Sequence, residues 1–128
     1  MLGFVLHVRW TDIDFMPKKK LLSGWGRHPT VESHVSRPEK RVTLRSLIEQ
    51  NGAPVLARGA GRSYGDASLL NSDGKTLLTD RLNRMLAFDP DTGVLRAEAG
   101  LRLREILEVF VPRGWFLPVT PGTKEVTL

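Results

Sequence analysis

The sequence predicts a layered domain of the α+β or α/β class, and three observations support this prediction. Two stretches carry apolar residues at helical spacing, with charged residues on the opposite face. Several short apolar runs lie around them, bounded by glycine, proline, asparagine or aspartate, as strands usually are. The 128 residues contain no internal repeat and no low-complexity segment. The resulting order, strand–helix–strand–strands–helix–strand, excludes a helical bundle and a β-sandwich.

The first predicted helix covers Thr43 to Gly52, "TLRSLIEQNG". Thr43 is expected to cap its N-terminus and Gly52 to end it. Its apolar face is formed by Leu44, Leu47 and Ile48. The stretch that follows, "APVLARG", is predicted to be a buried strand. This strand runs directly into a glycine-rich loop.

The second half of the chain is predicted to form more strands and one more helix. "KTLLTD" and "MLAFDPDTGVLRAEAG" contain strands, with "DPDTG" as the turn of a hairpin. "LRLREILEVFVPRG" is an amphipathic helix that Pro112 and Gly114 terminate. Its apolar face consists of Leu103, Ile106, Leu107 and Phe110. "WFLPV" is predicted to be one more short strand.

The composition limits the chemistry that the chain can perform. With 41% hydrophobic and 26% charged residues, it can form the core of one domain or of part of a larger one. The absence of cysteine excludes disulfides, thiolate nucleophiles, cysteine-ligated metals and a cysteinyl cofactor link. We predict no metal site. The formal net charge is +5, of which residues 1–20 contribute two, and the mildly basic remainder is compatible with an anionic ligand.

Residues 1–20 are predicted to be an N-terminal extension, and residues 21–128 the domain. The opening apolar run is too short to span a bilayer, and it lacks a basic leader and a small-residue cleavage site. We therefore expect no signal peptide or transmembrane segment, with the cytoplasm as the default compartment. Met16 directly precedes "PKKKLLSGWGR", where domain-like sequence begins. The alternative is that the first residues form an ordered N-terminal strand.

The loop "ARGAGRSYGD", Ala57 to Asp66, has the composition of an anion-binding turn. Its glycines let the backbone turn sharply, and successive N–H groups in such a loop can point at one anion. It is not a Rossmann fingerprint, because the third of Gly59, Gly61 and Gly65 comes one position late and a strand follows instead of a helix. It is not a Walker A loop either, since no Gly-Lys-Ser/Thr ends it. The loop would therefore bind phosphate with its own amides.

Four motifs in order resemble those of a known family. "SGWGR" (Ser23 to Arg27), "ARGAGRSYGD", "RAEAGLRLREIL" and "PVTPGTKEVTL" closely resemble the N-terminal FAD-binding domain of the vanillyl-alcohol oxidase and p-cresol methylhydroxylase (PCMH) superfamily. Within it, the chain looks most like decaprenylphosphoryl-ribose oxidases and sugar-lactone oxidases. The resemblance covers Leu21 to Leu128. It implies an α+β fold, the N-terminal part of a PCMH-type domain, with a small mixed sheet and flanking helices.

The resemblance also implies a set of FAD-binding residues. In the family, the glycine loop wraps the FAD pyrophosphate with backbone N–H groups, and a second stretch touches the cofactor. The matching loop residues here are Ala57, Arg58, Gly59, Ala60, Gly61, Arg62, Ser63, Tyr64, Gly65, Asp66 and Ala67. The matching residues of the second stretch, "PGTKEVTL", are Gly122, Thr127 and Leu128.

Several of these residues have simpler interpretations. Tyr64 could be a packed aromatic, Ser63 a turn residue and Arg58 a solvated charge. Asp66 is more often a turn or cap residue than a ligand. The glycine loop as a whole could also be a surface turn that merely tolerates glycine and binds no anion.

One departure from the family concerns the attachment of the flavin. Relatives that bind flavin covalently carry histidine within Gly-x-Gly-His-Ser, where this sequence has Arg62. The histidines His7, His28 and His34 lie outside the motif, and the chain has no cysteine. FAD is therefore predicted to be bound without a covalent link.

The resemblance implies an FAD-dependent oxidoreductase that moves a hydride from a sugar-type alcohol or lactone to flavin. Complete family members run to several hundred residues, and this chain ends inside the second motif, so we expect a partial domain. On its own it should bind FAD weakly and show no turnover, and we nominate no catalytic residue.

Two alternative functions remain open. The first is a non-catalytic nucleotide- or anion-binding remnant of this fold. The second is a basic nucleic-acid-binding protein, suggested by the positive net charge. Because the arginines are scattered and only "PKKK" clusters, we expect no nucleic-acid partner.

Overall fold

The computed structural model describes residues 17–49, 52–70 and 73–128, and they form two units. The first is a four-stranded mixed sheet, and the second is a two-stranded hairpin packed against a helix. The elements in chain order are β1 (Lys18–Ser23), β2 (Thr30–Ser36), α1 (Arg41–Glu49), β3 (Val55–Arg58), β4 (Lys75–Leu78), β5 (Met85–Asp89), β6 (Val94–Ala97), α2 (Leu103–Phe110) and a 3₁₀ turn (Val111–Arg113).

The four-stranded sheet has the order β1-β2-β4-β3. β1 runs antiparallel to β2, whereas β2, β4 and β3 are parallel to one another. The carboxyl ends of the parallel strands, at Ser36, Leu78 and Arg58, therefore lie along one edge of the sheet. Ligands of open parallel sheets bind outside this edge, and the glycine-rich loop begins there, directly after Arg58.

The core of the first unit is small. Leu22 of β1, Val35 of β2 and Leu69 after the glycine loop form one buried cluster, with Val31 and Leu78 packed against it. Alternation along β2 puts Val31 and Val35 on the same face, as a strand with one buried face requires. The loop is thus connected to the sheet through Leu69, which is part of the core.

The second unit has a larger, aromatic core. Leu101, Ile106 and Phe110 are buried, and the hairpin and the segment after α2 pack on them. Phe88 lies 4.5 Å from Phe110 and 5.4 Å from Trp115, measured between ring centroids, and the second pair is edge-to-face. Such ring pairs add stability beyond their buried area.

The predicted fold class is confirmed: the chain is α+β, with a small mixed sheet and flanking helices. The strand "APVLARG" and the hairpin around "DPDTG" are also confirmed. However, β3 is not buried as predicted, because it is an edge strand with an exposed Ala57. In the described part of the chain, no helix combines the length and hydropathy needed to cross a membrane.

The start of the first helix differs from the prediction. α1 begins at Arg41, so Thr43 lies inside the helix and does not cap it, and Ile48 is half exposed. The predicted boundary after Lys20 falls inside β1, whose residues 18–20 pair with β2. Residues 1–16 lie outside the described residues.

"WFLPV" does not form the predicted strand. The 3₁₀ turn extends α2 as far as Gly114, whose φ of 83° redirects the chain. Trp115 then packs into the aromatic core, while Phe116 and Val119 are exposed. Packing of Trp115 and Leu117 on the core, and not strand pairing, fixes this segment.

Candidate functional site

A polar groove of about 340 Å³ lies at the carboxyl edge of the four-stranded sheet. Its floor and one wall come from the end of β3 and the glycine loop, and the other wall from the C-terminal segment. The lining residues are Ala57, Arg58, Gly59, Ala60, Gly61, Arg62, Ser63, Ala67, Ser68, Val126 and Thr127.

The backbone of the loop leaves its N–H groups available to a ligand. Gly61 and Gly65 have φ of 63° and 58°, in the left-handed region that favours glycine. Within the described residues, no amide from Gly59 to Ala67 donates a hydrogen bond to the protein. Since unpaired backbone amides are costly unless solvent or a ligand satisfies them, this loop is suited to bind an anion.

The C-terminal segment closes the groove against Gly59. A Cβ at Gly59 would collide with Oγ1 of Thr127 and lie 3.2 Å from its Cβ, so a larger residue there would have to displace the Thr127 side chain. The segment is held to the start of α2 by an antiparallel bridge between Arg102 and Thr127. The N–H of Leu128 also donates to the carbonyl oxygen of Leu101 at 3.0 Å.

Two ion pairs hold the same segment. Glu125 Oε2 lies 3.0 Å from Nη1 of Arg102, and its Oε1 lies 3.2 Å from Nη1 of Arg104. The N–H of Arg104 donates to the carbonyl oxygen of Lys124 at 2.9 Å. This part of the groove wall is therefore positioned by α2, although Thr127 follows α2 by many residues.

The "SGWGR" motif supports the loop from the opposite side. The N–H of Trp25 donates to the carbonyl oxygen of Ser63 at 3.1 Å. A Cβ at Gly24 would lie 2.5 Å from the carbonyl oxygen of Gly65, so glycine is required for this contact as well. Trp25 and Tyr64 meet edge-to-face with centroids 5.6 Å apart, and both rings are exposed.

The side chain of Arg58 is partly buried and hydrogen-bonded, so it is not a solvated charge. Its Nη1 donates to the carbonyl oxygen and to Oγ of Ser68, each at 2.9 Å, and its Nη2 donates to the carbonyl oxygen of Ser23 at 2.6 Å. Burial lowers the pKa of the Arg58 guanidinium, because desolvation disfavours its charged form. An arginine nevertheless stays cationic at neutral pH.

The structure brings together most of the residues predicted from the sequence. Those that line the groove are Ala57, Arg58, Gly59, Ala60, Gly61, Arg62, Ser63, Ala67 and Thr127. Those that do not line it are Tyr64, Gly65, Asp66, Gly122 and Leu128. Asp66 forms a turn, because its carbonyl oxygen accepts the N–H of Leu69 at 2.7 Å.

Sequence analysis missed Ser68 and Val126. Each directly adjoins a predicted residue, Ala67 or Thr127, so extending both motifs by one position would have found them. In the described ranges, no group of three histidine or acidic side chains is arranged to hold a metal ion.

Comparison with known proteins gives consistent matches. The family model described as FAD binding domain matches residues 34–128. Decaprenylphosphoryl-beta-D-ribose oxidase of Mycolicibacterium smegmatis is 38% identical over 119 residues, which are 90% of this chain and 26% of that protein. D-lactate dehydrogenase of Anaerostipes hadrus is 23% identical over 115 residues, which are 90% of this chain and 24% of that protein.

A solved structure shares the fold. Alkyldihydroxyacetonephosphate synthase superposes with a TM-score of 0.64 at 15% identity, over 75% of this chain and 21% of the synthase. The chain thus spans about a quarter of the length of the curated relatives it matches.

Proposed function

The chain belongs to the FAD binding domain family, and we propose that its groove binds the pyrophosphate of FAD. The family consists of FAD-dependent oxidoreductases, and the cofactor is FAD. The observation that carries the proposal is the set of amides at residues 59–63 and 67, which line the groove beside the cationic side chain of Arg58 and have no protein acceptor among the described residues. A diphosphate has the charge and the acceptor oxygens that these groups require.

The size and polarity of the groove support the proposal. Its volume of about 340 Å³ suits one part of a dinucleotide rather than the whole. Arg62 and the hydroxyl of Ser63 add a second charge and a second kind of donor to the lining. Thr127 adds a hydroxyl from the opposite wall. The rings of FAD would extend beyond this groove.

We also propose that the whole protein catalyses the oxidation of a sugar-type alcohol or lactone. The support is the 38% identity to a protein whose name describes oxidation of a ribose derivative. FAD would supply the hydride acceptor, while the residues of this chain bind and orient it. A non-catalytic role in anion binding is the alternative, and reduction of the bound flavin by such a substrate would exclude it.

FAD is proposed to be bound without a covalent link. Arg62 lies where covalently linked relatives carry histidine, and an arginine side chain forms no histidyl bond. His28 and His34 do not line the groove. Acid precipitation of the FAD complex should release all of the yellow colour to the supernatant. Flavin fluorescence that stays with the protein band on a denaturing gel would contradict this proposal.

Competition between ligands tests the pyrophosphate assignment. FAD is titrated into the full chain, and ADP, riboflavin and a single-stranded oligonucleotide are then added as competitors. ADP should displace FAD because it retains the diphosphate, whereas riboflavin, which lacks phosphate, should not. Displacement by riboflavin but not by ADP would show that the groove does not hold the pyrophosphate. Oligonucleotide binding tighter than FAD binding would favour the nucleic-acid alternative.

A further inference from the structure

The side chain of Arg58 contacts both ends of the glycine loop. It ends β3 and opens the loop, while its acceptor Ser68 closes the loop and its acceptor Ser23 ends β1. One guanidinium therefore connects the two ends of the loop to each other and to the end of β1, which is not adjacent to β3 in the sheet. Two of its three acceptors are backbone carbonyl oxygens, so the hydrogen bonds fix the path of the main chain.

The middle of the loop packs directly on this guanidinium. A Cβ at Gly61 would collide with Nη2 of Arg58, and would lie 2.7 Å from Cζ and 3.2 Å from Nε. The planar group therefore sets how closely Gly61 can approach. A lysine has one nitrogen and no plane, so it cannot make the same contacts with Ser23, Ser68 and Gly61 together.

The charge of Arg58 has no acidic partner in the described parts of the chain. Its acceptors there are two carbonyl oxygens and one hydroxyl. A partly buried cation without a counter-ion is unfavourable. A bound anion would supply the missing negative charge, and the unpaired loop amides would bind the same anion.

We infer that Arg58 is the positioning residue of the loop. Its guanidinium holds Gly59 to Ser68 in the conformation that presents the amides, and its charge favours the bound diphosphate. The inference rests on the proposed pyrophosphate site. Arg62, in the same motif, is exposed and makes no hydrogen bond within the described residues, so the two arginines have different roles.

Limited proteolysis tests the positioning role without any ligand. Trypsin can cut after the exposed Arg62, at a rate that depends on how ordered the loop is. In Arg58→Met and Arg58→Lys, cleavage after Arg62 should be about tenfold faster than in wild type, because a loop without the Arg58 hydrogen bonds opens more often. Cleavage after Arg113, in the other unit, should stay unchanged and serves as the measure of global unfolding. Equal cleavage after Arg62 in the three proteins would overturn the inference.

Binding of ADP tests the electrostatic role. Because Arg58→Met removes both the positive charge and the support of the loop amides, it should weaken ADP binding about a hundredfold, whereas Arg58→Lys, which keeps the charge, should weaken it about tenfold. Added salt should weaken ADP binding by wild type and by Arg58→Lys, but less by Arg58→Met, in which Arg62 is the remaining arginine of the groove lining. The control Arg96→Met removes one exposed positive charge in β6, and should bind ADP as wild type does.

The outcomes separate this inference from the proposed function. Wild-type ADP affinity in Arg58→Met, or wild-type salt dependence in that variant, would show that Arg58 does not serve the anion. If the wild-type chain binds neither FAD nor ADP, the pyrophosphate site is wrong. The proteolysis result then still decides whether Arg58 positions the loop.

Discussion

The two units of the molecule differ in how their polar groups are satisfied. In the hairpin unit, the buried carboxylate of Glu98 accepts three hydrogen bonds from Arg84, at 2.6, 2.9 and 3.1 Å. In the four-stranded sheet, the buried hydroxyls of Ser33, Ser36 and Thr76 have no partner within the described residues. The amides of the glycine loop beside this sheet also have no protein acceptor among the residues that the structure describes.

This difference indicates that the hairpin unit mainly supplies stability, whereas the sheet unit supplies the binding site. Each unsatisfied buried polar group costs about 1–3 kcal/mol, so the sheet unit is expected to contribute less stability per residue than the hairpin unit. The hairpin unit has the larger aromatic core, and among the described residues none of its buried side-chain nitrogen or oxygen atoms lacks a hydrogen-bond partner. A ligand in the groove could satisfy the amides of the glycine loop, but not the hydroxyls of Ser33, Ser36 and Thr76, which do not line it.

Phe110→Ala should have the largest effect, on stability alone. It removes a buried ring from the core of the hairpin unit, which costs about 3–5 kcal/mol. Urea unfolding measures the loss, and Phe116→Ala, which truncates an exposed ring, is the matched control. Under conditions where Phe110→Ala is still folded, its ADP affinity should be unchanged. A lost ADP affinity in the folded variant would show that the two units are not separable in this way.

Gly61→Val should instead affect binding. A side chain at φ 63° is strained by about 1–3 kcal/mol, which corresponds to a roughly five- to hundredfold loss of FAD affinity. Its Cβ would also displace Arg58. Gly52→Ala is the control, since no atom lies within 4 Å of a Cβ there, whereas a Cβ at Gly74 would collide with the carbonyl oxygen of Pro54. Unchanged FAD affinity in Gly61→Val would mean that the loop is only a turn.

Glu98 should make the hairpin unit sensitive to acid. Hydrogen bonds from Arg84 lower the pKa of Glu98 more than burial raises it. The folded protein then binds fewer protons than the unfolded one, so this stabilisation is complete above about pH 4.3, the ordinary glutamate pKa. It is lost as the pH falls through the lower pKa of the folded state.

Glu98→Gln tests this pH dependence. It should cost about 1 kcal/mol at neutral pH and should flatten the fall in stability below about pH 4.3. Urea midpoints between neutral and acidic pH measure both effects. The exposed Glu108→Gln is the control. An equal acid dependence in wild type and Glu98→Gln would exclude Glu98 as the cause.

Glu125→Gln should have the smallest effect. Its two ion pairs are partly exposed, and such pairs contribute less than about 1 kcal/mol. The backbone bonds of Val126 and Leu128 should keep the groove wall in place. A small loss of stability with nearly unchanged FAD affinity is expected from urea unfolding and titration. A large loss of affinity would show that side chains, and not the backbone, hold this wall.

The amino-acid sequence by itself determined the glycine loop and its place after β3. Glycine at residue 61 is required by its own positive φ and by the side chain of Arg58, which is close in the sequence, so local pattern was sufficient there. The amphipathic pattern of α2 likewise predicted its buried face, including Ile106 and Phe110. Such patterns can be read from the sequence because a helix repeats every few residues and a turn involves only a few residues.

Only the tertiary structure decided which residues meet across the chain. Tyr64, predicted as a site residue, packs on Trp25, and the start of α1 at Arg41 follows no N-cap pattern. The role of Arg58 depends on Ser23, which is 35 residues away in the chain and lies at the end of a strand that is not adjacent to β3 in the sheet. Sequence periodicity carries no information on such distant partners, because strand order and packing are set by the fold as a whole.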